Sequence, residues 1–386
     1  MLDTLFRAGH FAQARRGYAD ILRTDPGDAH ANAQIGRIAL LSNAFITAEK
    51  YLARAVELAP GDDRLKELLA DCYARQYKLA RAVPVLRAAG RDAVAAQYAA
   101  AGDTPFGLYG PRSTKLVFQQ LDPLPTVEAS VNGSAPMRFL LDTVAEPLLT
   151  MEAAERARLR AVASTRARDG TETHLGVVRS FRLGSIEVRD VPVVWRDVDL
   201  PASGTIGMSV FSRFLTTIDY VRQALVLRRR SQLRAFKAES ARHDAEILPL
   251  WLAGGRFPCT LGSVNGHGPR LVCLSTGEPG VGVTTSEKFA TRCGLTFDAP
   301  RTGSGGAPCY PIVADQVALG AATGHRIPGV VGPLFDDRLG FDTIATFGHE
   351  FLKRFAITFD FTGMGLYVAG PPARRDRDTA AANNYL

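Results

Sequence analysis

Two short stretches hold residue types that can do chemistry. "RFLLDTVAEPLLT", residues 138–150, runs an apolar strand into a turn carrying Asp142. "RLVCLSTGEPGVGVT", residues 270–284, does the same with Ser275. Each turn has threonine second, Thr143 and Thr276, and the two turns stand 133 positions apart. A carboxyl group at the end of an apolar strand is a candidate general acid or base, because desolvation disfavours its charged form and raises its pKa. Ser275 can donate or accept a hydrogen bond, but it does not titrate near neutral pH. As a nucleophile it needs a histidine base and an oxyanion hole, and "CLSTGEP" is not a G-x-S-x-G elbow. His174, His267 and His349 lie in segments that can approach the turns, although a lone histidine is ordinarily a packing or surface residue. Gly280 and Gly282 in "EPGVGVT" lack the strand–helix context of a nucleotide loop.

The elements that must position these residues are organised by two repeats. The first has a 34-residue step. "DPGD" at 25–28 returns as "APGD" at 59–62; Ala14, Ala48 and Ala82 keep the step, as do Tyr18, Leu52 and Leu86, and Gly36 with Ala70. Small residues at fixed points let two helices approach, large ones fill the gap, and proline ends each unit. This pattern resembles the tetratricopeptide repeat over about residues 1–90. It implies a helical domain, assigned to 1–104, that leans on the next domain, because so few repeats are short for a free-standing solenoid. Its groove offers a place for a protein partner; a structural or dimerising role is an equal expectation.

The second repeat is longer. "VNG" at 131–133 returns at 264–266, and from Asn132 to Asp142 and Asn265 to Ser275 is ten residues in both halves. "FRLGSIEVRDVPVV" (181–194) parallels "VALGAATGHRIPGVV" (317–331), and "GTIGMSVFSRFLTTIDYVRQALVL" (204–227) parallels "ATFGHEFLKRFAITFDFTGMGLYV" (345–368). Each half therefore orders hairpin, strand, turn, hairpin, hydrophobic-Gly, short helix and strand. That order resembles the aspartic-protease fold, in its retropepsin-like branch, over roughly 112–370. The resemblance implies a multidomain chain: an all-α repeat domain and an all-β domain of two fused lobes, 112–230 and 247–370, with a linker at 231–246. It also implies an active cleft between the lobes. The family's threonines cross-bond the two turns beneath two aspartates that share one proton around a water.

Against that pattern, Asp142, Thr143, Thr276 and Gly277 match. Ser275 stands where the second aspartate belongs, and Val144 where the first turn has glycine. Three readings stay open. The leading one is an atypical homologue that binds a peptide or small molecule in the cleft. The second is a non-proteolytic enzyme (isomerase, cyclase or lyase) using Asp142 alone as acid or base. The third is a genuine endopeptidase, which requires another acid near the cleft or a homodimer joining two Asp142 turns; the fused second half speaks against such a dimer. Glu146 and Glu278 come after the turns, but in the resembled fold the chain there heads away from the aspartates. "TRARDGTETHLG", with Arg168, Gly170 and His174, and "RTGSGGAPCYP", with Ser304 and Gly305, take the places of two flaps over the cleft.

Bulk properties agree with a globular protein. Apolar residues make 46% and charged residues 22%. The net charge of +7 comes from scattered arginines, so no nucleic-acid partner is expected. Five cysteines show no CxxC pair and no zinc spacing; free thiols, no metal and no cofactor are expected. No apolar run reaches ~18 residues and no leader pattern opens the chain, so the expectation is a cytoplasmic protein without a membrane partner. The end of the chain, 371–386, reads as a disordered tail.

Overall fold

The computed structural model describes residues 1–167, 170–241, 246–297, 299–302 and 308–370. Arg168, Ser304, Gly305 and the 371–386 tail expected to be disordered lie outside the described residues. The fold joins an N-terminal helical stack to a large β-sheet domain.

The stack comprises α1 (Leu2–Arg7), α2 (Phe11–Thr24), α3 (Ala29–Leu41), α4 (Phe45–Leu58), α5 (Asp63–Arg75), α6 (Leu79–Ala88) and α7 (Asp92–Ala100). The two "PGD" boxes end on helix caps. The Asp28 carboxylate accepts from the Ala31 N–H at 2.7 Å and opens α3; Asp62 accepts from Arg64 at 2.9 Å and opens α5. Each satisfies an N–H that the first helical turn leaves without a partner. Ala14, Ala48 and Ala82 are fully buried. At Gly36 a Cβ would come within 2.7 Å of the Leu52 side chain, so α3 and α4 approach too closely even for alanine.

The stack does not stand alone. Phe6 and Phe11 meet Phe341 edge-on, and Phe11 meets Trp251. Buried Arg75 pairs with Asp71 at 2.7 Å and donates to the carbonyls of Leu40 and Leu252. Through these contacts α1–α3 and α5 seat on the second β lobe. At the other end, α7 seats on the first lobe: the Gln97 amide donates to the carbonyls of Gly176 and Val193 at 2.9 and 2.7 Å.

The β domain forms three sheets of ten, six and eight strands. The ten-stranded sheet belongs to the first lobe and the eight-stranded sheet to the second. The six-stranded sheet takes strands from both, and it joins them at its centre. There Leu215–Asp219 runs antiparallel to Ala356–Asp360, with Thr217 opposite Thr358 and their hydroxyls 2.8 Å apart. These strands are the repeated "TTID" and "ITFD" of the sequence, so the duplication's pseudo-two-fold passes between them. Asp219 and Asp360 accept backbone N–H bonds from Arg222 and Thr362 and serve the turns after their strands. The stretch expected to be a linker contains the helix Leu233–Ala241.

Within each lobe the strand before the reactive turn lies parallel to the strand before the hydrophobic-Gly pair. Met137–Leu141 pairs with Gly204–Ile206, and His267–Leu274 pairs with Ala345–Phe347. The glycines after these partners have one steric reason. A Cβ at Gly207 would stand 2.2 Å from the Ala145 carbonyl oxygen, and one at Gly348 would stand 2.4 Å from that of Val281. Each glycine lets the loop leaving a reactive turn lie directly across it.

Candidate active site

The two turns are fastened by their threonines. The Thr143 hydroxyl accepts from the Thr276 N–H at 3.2 Å and donates to the Leu274 carbonyl at 2.8 Å. The Thr276 hydroxyl accepts from the Thr143 N–H at 3.1 Å and donates to the Leu141 carbonyl at 2.7 Å. Both side chains are buried. Each hydroxyl thus uses its proton and a lone pair across the lobe boundary, and the four backbone groups it satisfies are buried groups that need a partner.

Above this link the halves differ. Asp142 is densely surrounded by protein, yet one side reaches the surface. Its Oδ1 accepts from the Val144 N–H at 2.9 Å. Burial pushes its pKa above the usual carboxylate value, partly offset by the N–H groups of Val144 and Ala145. Gly277 lies bare against this carboxyl: a Cβ there would come within 2.6 Å of Asp142 Oδ2. In the 133-residue repeat, residue 144 is the counterpart of Gly277 and residue 275 the counterpart of Asp142. Val144 packs against the apolar cluster that α1–α3 share with the second lobe. Ser275 itself is buried, and its hydroxyl has no hydrogen-bond partner among the described residues.

The raised pKa has a pH signature. Asp142 holds its proton more tightly when folded than when unfolded, so the folded state binds more protons above its ordinary value of 3.8. Stability therefore falls as pH rises from about 4 through the raised pKa. Asp142→Asn removes that loss. Its stability relative to the parent should grow as pH rises above about 4, and denaturant melts from pH 3 to 8 measure the divergence.

Two further groups, Tyr220 and Glu278, feel the charge of Asp142. The Tyr220 hydroxyl is buried with no hydrogen-bond partner among the described residues, and burial, reinforced by the Asp142 charge, raises its pKa. Glu278 is half-buried. Its Oε2 accepts from the Thr284 hydroxyl at 3.1 Å, and burial raises its pKa, with the Asp142 charge adding to the rise. The resemblance sends Glu278 away from the site, but its charge remains coupled to Asp142. Glu146, by contrast, is exposed and faces the Arg256 guanidinium at 4.0 Å. His349 is fully buried against the Tyr220 ring; its Nε2 meets Asp122 at 3.1 Å and burial lowers its pKa. Asp122, His349 and Glu350 cluster at ligand spacing, but the Lys353 ammonium sits on Asp122 and Glu350 at 2.9 Å each, in the place a metal cation would take. No sequence signal singles out Tyr220, because an aromatic after "TTID" reads as core.

Of the flap residues, Gly170 takes a left-handed backbone (φ 84°) at the first hairpin's tip. His174 sits further down that hairpin. Its Nδ1 meets the Ser164 hydroxyl at 2.8 Å and its ring leans on Trp195, so it braces the hairpin rather than standing free.

Comparison with known proteins agrees with this architecture. Residues 127–210 match the aspartyl protease family, and residues 5–72 match the tetratricopeptide repeat. No curated protein matches the chain in sequence. Among solved structures, conglutin gamma, a basic 7S globulin from lupine seeds, is similar at 14% identity and a TM-score of 0.39, covering 68% of this chain and 95% of its own. Basic 7S globulin from soybean is similar at 12% identity and a TM-score of 0.37, covering 69% and 95%. The chain is thus similar to two families over separate segments: to the tetratricopeptide repeat over residues 5–72 and to the aspartyl proteases over residues 127–210, the segment that carries Asp142.

Proposed function

We propose that the cleft between the two β lobes binds a peptide or a small molecule, that Asp142 is the group that meets it, and that the chain is an atypical homologue of the aspartic proteases. The observation that carries this reading is the lopsided pair at the lobe boundary. A buried carboxyl with a raised pKa stands on one side, and on the other a serine hydroxyl without a partner among the described residues. A carboxyl accepts a hydrogen bond when ionised and also donates one when protonated, and the serine hydroxyl can do both, which suits the carbonyl and N–H of an amide. Polar groups left unpaired in a buried site gain most from a ligand that supplies their partners.

The test is titration calorimetry with a statine-type inhibitor, whose hydroxyl mimics the tetrahedral state of amide hydrolysis. The protein should bind it, and Asp142→Asn should weaken binding about 10- to 100-fold, the range for one hydrogen bond to a charged or strongly polar group. Equal affinity in the two proteins, or no binding by either, overturns the reading. A second reading, in which Asp142 alone runs acid–base chemistry on a small molecule, is favoured by one observation: the burial that moves its pKa toward neutrality. In that case Asp142→Asn abolishes turnover rather than merely reducing affinity.

A further inference from the structure

We propose that Glu278 is the second carboxyl group of this site, working with Asp142 as an acid–base pair in place of the aspartate absent at position 275. The proposal rests on the reading that the cleft takes a peptide-like ligand, and it supplies the acid that hydrolysis requires and Ser275 does not.

The placement comes from the second turn. Gly277 presents no side chain to Asp142, and a methyl group there would strike the carboxyl. The next residue along the chain is Glu278. The Thr284 hydroxyl holds Glu278 Oε2 at 3.1 Å. Thr284 is buried on the strand Val283–Thr285, which pairs with Ala345–Phe347 in the sheet that also carries the Ser275 strand. Glu278 is thus anchored to the floor of the second lobe, and like Asp142 it remains partly open. The charge of Asp142 acts on Glu278, and both acids are desolvated. Two acids in that relation lose their protons in two steps, with an interval in which the pair holds one proton.

In that interval the chemistry balances. The ionised group takes a proton from water as the water oxygen adds to a carbonyl carbon, and the protonated group gives its proton to the carbonyl oxygen. The result is a gem-diol, with the pair's one proton now on the other group. In collapse, a diol hydroxyl returns its proton to the carboxylate, the acid gives its proton to the leaving nitrogen, and the C–N bond breaks. Ser275 and Tyr220 supply hydroxyls without partners among the described residues, available to bond an oxygen in the same site.

The experiment follows the carboxyl carbon signals of Asp142 and Glu278 by nuclear magnetic resonance from pH 3 to 9 in the full chain, and repeats it in Glu278→Gln and Asp142→Asn. In the parent the two signals should share two titration steps. In each variant the remaining acid should titrate in one step, and the parent's upper step should vanish, a displacement of about one pH unit or more. Midpoints that do not move when the other acid is removed overturn the proposal. Both substitutions nearly conserve shape, and unfolding midpoints at pH 7 check that each variant is folded. Cleavage of a diverse peptide library supplies the second readout. Loss of cleavage in both variants supports the pair. Cleavage that survives Glu278→Gln but not Asp142→Asn overturns the pair and leaves the Asp142 reading intact. Cleavage or inhibitor binding that ignores Asp142→Asn overturns that reading itself, and absence of cleavage by the parent overturns the hydrolytic role of the pair.

Discussion

Thr143→Val is expected to destabilise the protein by about 2–5 kcal/mol, although it changes almost nothing in shape. Valine fills the same volume, so the cost is in hydrogen bonds. The lost hydroxyl leaves the Thr276 N–H and the Leu274 carbonyl buried without partners, at about 1–3 kcal/mol for each unsatisfied group. Thr276→Val should cost a similar amount, because it strands the Thr143 N–H and the Leu141 carbonyl. The control is close by. Ser275→Ala removes a hydroxyl that is just as buried but has no partner among the described residues, and it should shift stability by less than about 0.5 kcal/mol or improve it. Denaturant unfolding of the three variants checks the contrast. If Thr143→Val and Ser275→Ala fall together, the crossed threonines are not what fastens the lobes.

The link between the turns is legible in the sequence because symmetry writes it twice. Thr143 and Thr276 hold the same place in a 133-residue repeat, and a structure that pairs the halves about a two-fold brings them together. The helical stack is legible for a similar reason: Gly36 and Ala70, or Ala14 and Ala48, mark contacts that recur in register. What the sequence hides is what occurs once. The seating of α1–α3 on the second lobe rests on Phe6 and Phe11 meeting Phe341 and Trp251, and no repeat relates the two sides of that contact. Arg75 reads as an ordinary charged residue of a helix face and is instead buried against the carbonyl of Leu252. Glu278 is named in the sequence only as an acid after the second turn. The order of elements describes where the backbone goes and not where a glutamate side chain lies. Residues that depart from a pattern are the ones the pattern cannot place.

Ser275→Asp, the change that restores the family's second aspartate, is expected to harm the protein on its own. The reason is Val144. On the first lobe's side the carboxyl of Asp142 presses on Gly277 so closely that no Cβ fits, and the pseudo-two-fold puts residue 144 in that relation to residue 275. A new carboxyl at 275 meets a β-branched side chain where its counterpart meets none. Overpacking of this kind costs about 1–3 kcal/mol. Burying a second acid near Asp142 adds to it, with the new group taking up a proton rather than remaining charged. Val144→Gly alone should also cost about 1–3 kcal/mol, because it removes a side chain packed on the cluster beneath α1–α3 and frees the backbone. Together the two should cost less than their sum by about 1–3 kcal/mol, since each removes the other's conflict. A double-mutant cycle of unfolding free energies measures that difference, and additivity within about 0.5 kcal/mol would show that the valine and the serine are independent departures. Peptide cleavage gained by the double variant, and not by Ser275→Asp alone, would place the loss of the second aspartate in the same event that admitted the valine.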